Sequence, residues 1–149
     1  MTYTPDKPIR ALSWKEPFAS LMLCGKIETR TWATSYRGWV LICASKAPYN
    51  HKQIDTLADK RQQGRIWASL GGGVNTPINP GMAIAVGYLA NCRSMLPTDA
   101  EKCFVDFGLD LYCHIYIDVQ PIQPFPWKGS QGGRTLMESQ RGKIVLLNK

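Results

Sequence analysis

The pattern of hydrophobic and polar residues predicts several short strands. Residues 39–45 (WVLICAS) are nearly all apolar, which indicates a central strand buried on both faces. Residues 82–89 (MAIAVGYL) predict a second buried strand, and residues 143–147 (KIVLL) predict a closing strand. Residues 111–119 alternate with period two, which predicts a further strand. Its two faces would carry Cys113, Ile115, Ile117 and Val119 on one side and Tyr112, His114, Tyr116 and Asp118 on the other.

A first helix is predicted over residues 11–25 (ALSWKEPFASLMLCG), after a lead-in that ends in a short strand. Ser13 and Glu16 have the spacing of a capping box, and Gly25 suits the end of a helix. The apolar residues at helical spacing are Phe18, Leu21 and Met22.

Two more helices are predicted further along the chain. One starts at Asn50, has a narrow apolar stripe of Ile54, Leu57 and Ala58, and ends at Gly64. The other opens with a capping box at Thr98 and Glu101 and runs to Gly108.

Segments rich in Gly, Pro and Asn predict loops at residues 68–81 and 121–134. The strands and helices follow one another neither as strict βαβ units nor as an all-β chain. We therefore expect one α+β domain over residues 1–149, with a small, largely antiparallel β-barrel and short helices packed on its rim.

The segment from Gly25 to Gly38 (GKIETRTWATSYRG) contains the most distinctive polar pattern. Side chains on a strand alternate between faces, so an extended stretch over residues 26–32 places Lys26, Glu28, Arg30 and Trp32 on one side. A face of this composition is a poor core and a plausible binding surface. We interpret it as the floor of a cleft for a nucleotide or a short piece of RNA.

The charge of the chain favours an anionic partner. Its net charge of +7 is uneven, because residues 1–65 hold eleven Lys and Arg against five Asp and Glu, and residues 128–149 hold five against one. Nucleic acid is a better candidate than a membrane because no basic amphipathic helix is evident. A solvated basic surface with no partner explains the same composition.

Composition also limits the class of protein. The 149 residues include 44% hydrophobic and 19% charged residues, as in soluble globular proteins. No apolar run approaches the ~20 residues that span a membrane. The first ten residues lack an apolar signal core, so we expect a cytoplasmic protein. Five scattered cysteines without a C-x-x-C pair predict reduced thiols, and we expect neither a metal site nor a cofactor.

Three motifs together resemble the ASCH family of the PUA-like superfamily: residues 12–25 (LSWKEPFASLMLCG), 26–46 (KIETRTWATSYRGWVLICASK) and 124–129 (PFPWKG). The resemblance covers about residues 10–129, which leaves residues 130–149 as a C-terminal extension. It implies a small β-barrel, a cleft beside the first helix, and RNA binding; a few such proteins are enzymes. The family spacing G-x-K-x-x-E-x-R is two residues longer than here, so Lys26 matches in type and not in spacing.

The candidate binding residues combine charged and aromatic side chains. A carboxylate between cations stays ionised and can accept from base edges or ribose hydroxyls, and an arginine can hold a phosphate bidentately. The candidate stacking residues are Trp14, Trp32, Tyr36 and Trp127. The predicted nucleic-acid-binding set is Lys26, Glu28, Arg30, Trp32, Tyr36, Arg37, Ser45, Lys46, Trp127, Lys128 and Arg134.

Three functions fit these residues, and a binding module for RNA or a modified nucleotide is favoured. The alternative is a metal-independent ribonuclease, in which Lys26, Glu28 and Tyr36 move protons while Arg30 stabilises the phosphorane. A nucleoside-processing hydrolase in the same cleft is the third. Some PUA-like relatives deacylate acetylcytidine with a Lys, a Thr and a Glu, but Glu28 occupies that Thr position here. The two nearby threonines, Thr29 and Thr31, are predicted on the opposite face.

Overall fold

A computed structural model of the chain describes residues 1–71, 79–128 and 133–147. Its strands form one sheet in the order β2-β5-β4-β3-β1-β6. They are β1 (Ile9–Trp14), β2 (Glu28–Arg30), β3 (Gly38–Ala44), β4 (Met82–Ser94), β5 (Tyr112–Pro126) and β6 (Arg134–Thr135). β1 and β3 are parallel, and the other neighbours are antiparallel. The predicted α+β class and largely antiparallel sheet are therefore confirmed.

The sheet is open, which differs from the predicted barrel. Among the described strands, β2 and β6 lie at the two edges and do not pair with each other. The predicted closing strand over residues 143–147 is reduced to a single bridge between Ile122 and Leu146. Two backbone hydrogen bonds flank this bridge, Gln123 N to Val145 O at 2.7 Å and Leu147 N to Pro121 O at 3.1 Å.

The central position predicted for residues 39–45 is confirmed, because β3 is buried on both faces. Val40, Ile42 and Ala44 face the cluster that holds α1 and Trp14. The residues between them, Trp39, Leu41 and Cys43, face a second cluster on the other side of the sheet. β3 therefore separates two cores, which keeps its register and that of β1 fixed.

The predicted first helix is mostly wrong. Residues 9–14 are β1, and the helix α1 (Phe18–Leu21) is a single turn followed by a 3-10 turn. The parallel pairing of β1 with β3 decides this, because tertiary pairing outweighs local propensity. Glu16 does not form the predicted capping box with Ser13. Its carboxylate instead accepts hydrogen bonds from the backbone N and the hydroxyl of Ser20, at 2.7 and 2.6 Å. Gly25, with φ of +84°, ends the 3-10 turn as predicted.

The helix predicted over residues 50–63 is two helices, α2 (His51–Leu57) and α3 (Lys60–Ser69). Asn50 caps α2 as predicted, in a capping box with Gln53. Asp59 is the N-cap of α3, and its side chain accepts a hydrogen bond from Gln62 N at 2.9 Å. Gly64 lies inside α3 rather than at its end.

The two remaining helices are single turns, α4 (Ala100–Cys103) and α5 (Glu138–Arg141). The chain leaves α4 at Phe104, whose φ of 59° is left-handed, so the predicted helix to Gly108 is too long. The carboxylate that caps this region belongs to Asp99, which binds Arg93 and Leu96 N, and not to Glu101. Within the described residues, no helix has the length and apolar character needed to cross a membrane.

β5 departs from the predicted alternation. The φ of Asp118 is 53°, and the register against β4 shifts between Val86 and Tyr88. This bulge brings Tyr116 and Val119 to the same side, where both pack on the first core. Residues 121–126, predicted as loop, continue β5. The rest of both predicted loops includes residues 72–78 and 129–132, which lie outside the described residues.

Candidate functional site

A pocket of about 410 Å³ opens between the C-terminal end of β1, β2 and α2. We call it the first pocket. Its lining combines aromatic, charged and hydroxyl-bearing residues. They are Ser13, Trp14, Lys15, Phe18, Lys26, Glu28, Thr29, Arg30, Thr31, Trp32, Tyr49, Thr56, Leu57, Val105, Asp106, Phe107, Gly108 and Leu111.

Three charged side chains of the predicted ladder meet in this pocket. Lys26 Nζ lies 2.9 Å from Glu28 Oε1, and Arg30 Nε lies 3.0 Å from Glu28 Oε2. The side chains of Lys26, Glu28 and Arg30 are only 1%, 8% and 10% exposed. The shortened spacing noted for Lys26 therefore does not keep its ammonium from the carboxylate. The three form a buried ion cluster rather than a solvated surface ladder.

The two cations determine the charge state of Glu28. Burial alone would raise the pKa of this carboxyl group, but the charges of Lys26 and Arg30 outweigh burial and hold the pKa below its ordinary value. Glu28 is therefore ionised at neutral pH. Buried ion pairs contribute little net stability, since desolvation offsets their attraction. A cluster of this kind beside a cavity is a functional-site candidate.

Arg30 is positioned by contacts on several sides. Its Nη2 donates to Ser13 O at 3.1 Å, and its Nε pairs with Glu28. The guanidinium carbon lies 4.8 Å from the ring centroid of Trp14 and 5.8 Å from that of Trp32. Arg30 thus lies between two tryptophan rings, and its Nη1 donates to no acceptor among the described residues.

His114 holds Trp32 in position through a ring contact and a hydrogen bond. Its ring is fully buried and lies 4.8 Å from the Trp32 ring, edge to face. Nε2 lies 2.8 Å from Trp32 O, and because a carbonyl only accepts, Nε2 carries the proton. Burial lowers the pKa of His114, although the bond to Trp32 O opposes this. Nδ1 has no partner among the described residues, so His114 is a neutral positioning group.

Tyr36 and Arg37, predicted in the same cleft, line a different pocket. This second pocket, of about 400 Å³, lies at the N-terminal end of β1. The Tyr36 hydroxyl donates to Trp39 O at 2.7 Å, and the Arg10 guanidinium lies 4.1 Å from the Tyr36 ring. Lys26, Glu28 and Tyr36 are therefore not assembled as one proton-transfer set, because the tyrosine is separate from the other two.

The other five predicted binding residues line neither described pocket. Ser45 N donates to Trp14 O at 2.8 Å, and Lys46 is exposed beside Gly81. Trp127 packs on the second core with Phe125 and so is half-buried rather than free. Lys128 is exposed at the end of a described range, and Arg134 is exposed on β6.

Other lining residues differ from the sequence prediction in their element or their face. Trp14, a predicted stacking residue, was assigned to a helix but lies at the end of β1 and forms one wall. Thr29 and Thr31 were placed on the opposite face, but both contribute to the lining. The segment 105–111 is held beside α2 by a hydrogen bond from Asp106 N to Leu57 O at 2.9 Å, a contact that no local pattern indicates.

No metal site is found in the part of the chain that the structure describes. No group of three or more His, Cys, Asp and Glu side chains there could hold an ion. All five cysteines are free thiols, and burial raises the pKa of Cys103 to about 12.

Comparison with known proteins adds no assignment. A scan of the chain against protein-family models finds no match, and none of the curated proteins matches it.

Proposed function

We propose that this chain is an ASCH domain of the PUA-like superfamily and that its first pocket binds one nucleotide of RNA or a modified base. The observation that carries the proposal is Arg30, held by Glu28 and Ser13 O between the rings of Trp14 and Trp32. Its unused Nη1 gives the pocket a fixed donor for a phosphate or a base edge.

The shape and lining of the first pocket support a single base as the occupant. A cavity of about 410 Å³ is within the range of small-ligand sites and too small for a duplex. Three of the aromatic side chains that line the pocket, Trp32, Tyr49 and Phe107, are partly or largely exposed and offer surface for stacking. Stacking of a base on an aromatic ring contributes about 1–3 kcal/mol and does not depend on sequence.

The charges of the site and of the chain support an anionic ligand. Lys15, Lys26 and Arg30 line the pocket against Glu28 and Asp106, and the whole chain has a net charge of +7. Glu28 is saturated by its two cations, so its role is to orient them rather than to repel the ligand. Phosphate contacts would give affinity and salt dependence, while the pocket selects the base.

Fluorescence anisotropy with a labelled single-stranded RNA hexamer tests the proposal. Trp32→Leu should weaken binding by about 5- to 150-fold, the loss expected from one stacking interaction. Trp67→Leu is the matched control, because Trp67 is half-buried on α3 and lines neither pocket. Thermal unfolding of both variants checks that they fold. Equal losses from the two variants, or binding that does not respond to salt, would rule the proposal out.

Hydrolysis in the same pocket is the alternative. The observation that favours it is that Thr29 and Thr31 line the cavity together with Lys26 and Glu28. If the pocket only binds its ligand, RNA and acetylcytidine remain intact during long incubation without metal. RNA cleavage or acetate release that disappears in the Glu28→Gln variant would instead identify an enzyme.

A further inference from the structure

The second pocket is strongly cationic and contains no carboxylate. It is lined by Lys7, Pro8, Ile9, Arg10, Tyr36, Arg37, Gly38, Trp39, Tyr88 and Thr135. Lys7, Arg10 and Arg37 form no ion pair with any described residue. Asp6 is next to Lys7 in the chain, but its carboxylate accepts from the Thr4 hydroxyl and does not line the pocket. Three positive charges therefore surround about 400 Å³ without an ion-pair partner among the described residues.

The two arginines of this pocket are held in place with donors to spare. The Arg10 guanidinium carbon lies over the Tyr36 ring, 4.1 Å from its centroid, and the guanidinium donates to no acceptor in the described ranges. Arg37 uses only Nη1, which donates to Thr34 O and Tyr36 O at 2.9 and 2.8 Å. Because the stacking and backbone contacts limit rotation, little side-chain entropy remains to be lost when these donors meet a ligand.

The wall behind the arginines is rigid. The Tyr36 hydroxyl is fixed by Trp39 O, and the Trp39 ring packs edge to face between Tyr3 and Tyr88 at 5.4 and 5.5 Å. Gly38, with φ of +151°, makes the close approach of Tyr36 possible, since a Cβ there would lie 2.8 Å from the hydroxyl. The pocket thus presents fixed guanidinium donors on a fixed aromatic surface.

We propose that the second pocket is a phosphate-binding site, occupied by the backbone of the same nucleic acid chain whose base enters the first pocket. The identity of the chain as RNA rests on the proposed function, whereas phosphate binding does not. Uncompensated, preorganised guanidinium groups are the chemistry that recognises phosphate.

The distance between the pockets suits one short strand. Arg10 and Trp14 lie four residues apart on β1, which places them about 13 Å apart along the strand. Trp32 and Tyr36 are four residues apart in the connecting segment, so their Cα atoms are separated by at most about 14 Å. A few nucleotides therefore reach from one pocket to the other.

Tripolyphosphate tests phosphate binding without any base. In an NMR titration, we expect it to shift the Nε–H signals of Arg10 and Arg37 at concentrations that leave the other arginines unchanged. Arg10→Gln should abolish the shift at Arg37, while Lys60→Gln should not, because Lys60 is an 88% exposed cation outside both pockets. Shifts spread evenly over all surface cations, or an undiminished Arg37 shift in Arg10→Gln, would overturn the proposal.

RNA binding then separates this proposal from the proposed function. Arg10→Gln should weaken binding of the RNA hexamer and reduce the slope of log K against log salt by about 0.7 for each lost phosphate contact. It should leave the affinity for a free nucleoside unchanged. If Trp32→Leu has no effect on RNA while the tripolyphosphate result holds, the first-pocket proposal fails and the phosphate site stands. If the hexamer affinity and the salt slope of Arg10→Gln equal those of Lys60→Gln, nucleic acid does not occupy the second pocket.

Discussion

At the scale of the residue, Glu28 has the greatest influence on the first pocket. One carboxylate pairs with two buried cations, and each of its oxygens is used, one by Lys26 and one by Arg30. The cations have little contact with water, so they depend on Glu28 for solvation. The pairing also adds to the contacts with Ser13 O and the two tryptophan rings that position Arg30.

Glu28→Gln should therefore destabilise the fold by about 3–5 kcal/mol, because the variant leaves two buried cations without a counter-charge. Urea unfolding of wild type and variant measures the loss. Asp55→Asn is the control, since it removes a carboxylate from the exposed pair with Lys60 and should leave the free energy of unfolding nearly unchanged. A Glu28→Gln variant as stable as Asp55→Asn would contradict the buried ion cluster.

At the scale of the element, the ends of β1 and the start of β3 position both pockets. Arg10 and Trp14 belong to β1, while Gly38 and Trp39 open β3 beside the second pocket. The parallel pairing of these two strands fixes Ile9 opposite Trp39, and so fixes the two pockets relative to each other. Backbone geometry at Gly38 is the most demanding point in this arrangement.

Two glycine-to-alanine substitutions should have opposite effects. Gly38→Ala places a methyl group 2.8 Å from the Tyr36 hydroxyl at a φ of +151°, and should cost about 1–3 kcal/mol of folding free energy. Gly64→Ala, in the interior of α3 with nothing within 4 Å of the new Cβ, should stabilise the fold by about 0.5–1 kcal/mol. Thermal unfolding of the two variants gives the comparison. If Gly38→Ala leaves the folding free energy unchanged, the Tyr36 ring moves freely.

The elements also show what the sequence could predict. β3 was predictable because its apolar residues are continuous, and period-two alternation predicted that Glu28 and Arg30 share a face. The alternation did not predict the extent of β2, which covers only Glu28–Arg30, so Lys26 and Trp32 lie outside the strand. β1 was not predictable, because its apolar residues fit both helix and strand spacing. Only the distant pairing with β3 decides between the two. Arg10 was missed since its contact with Tyr36 joins residues far apart in the chain.

At the scale of the whole molecule, the sheet joins distant segments into one site. β5 pairs with β2 at one edge, which places His114 beside Glu28, while the C-terminal segment covers the second core through Leu136 and Ile144. His114 is fully buried and neutral, so the stability of the whole fold is coupled to its protonation.

Stability should fall as pH drops below 6.5, the ordinary pKa of histidine. Burial lowers the pKa of His114 in the folded state, so around pH 6.5 the unfolded chain binds more protons than the folded one and is favoured on acidification. His114→Gln should flatten this part of the urea-midpoint profile. Parallel profiles for wild type and His114→Gln would contradict a buried neutral ring.

The hydrogen bond between His114 and Trp32 spans 82 positions of the chain. During translation, the residues of the ion cluster leave the ribosome long before the strand against which they pack. A nascent chain that stops short of β5 consequently contains Trp14, Lys26, Glu28, Arg30 and Trp32 but lacks the strand that pairs with β2. Such long-range contacts slow folding, so the first pocket forms only after β5 has paired with β2.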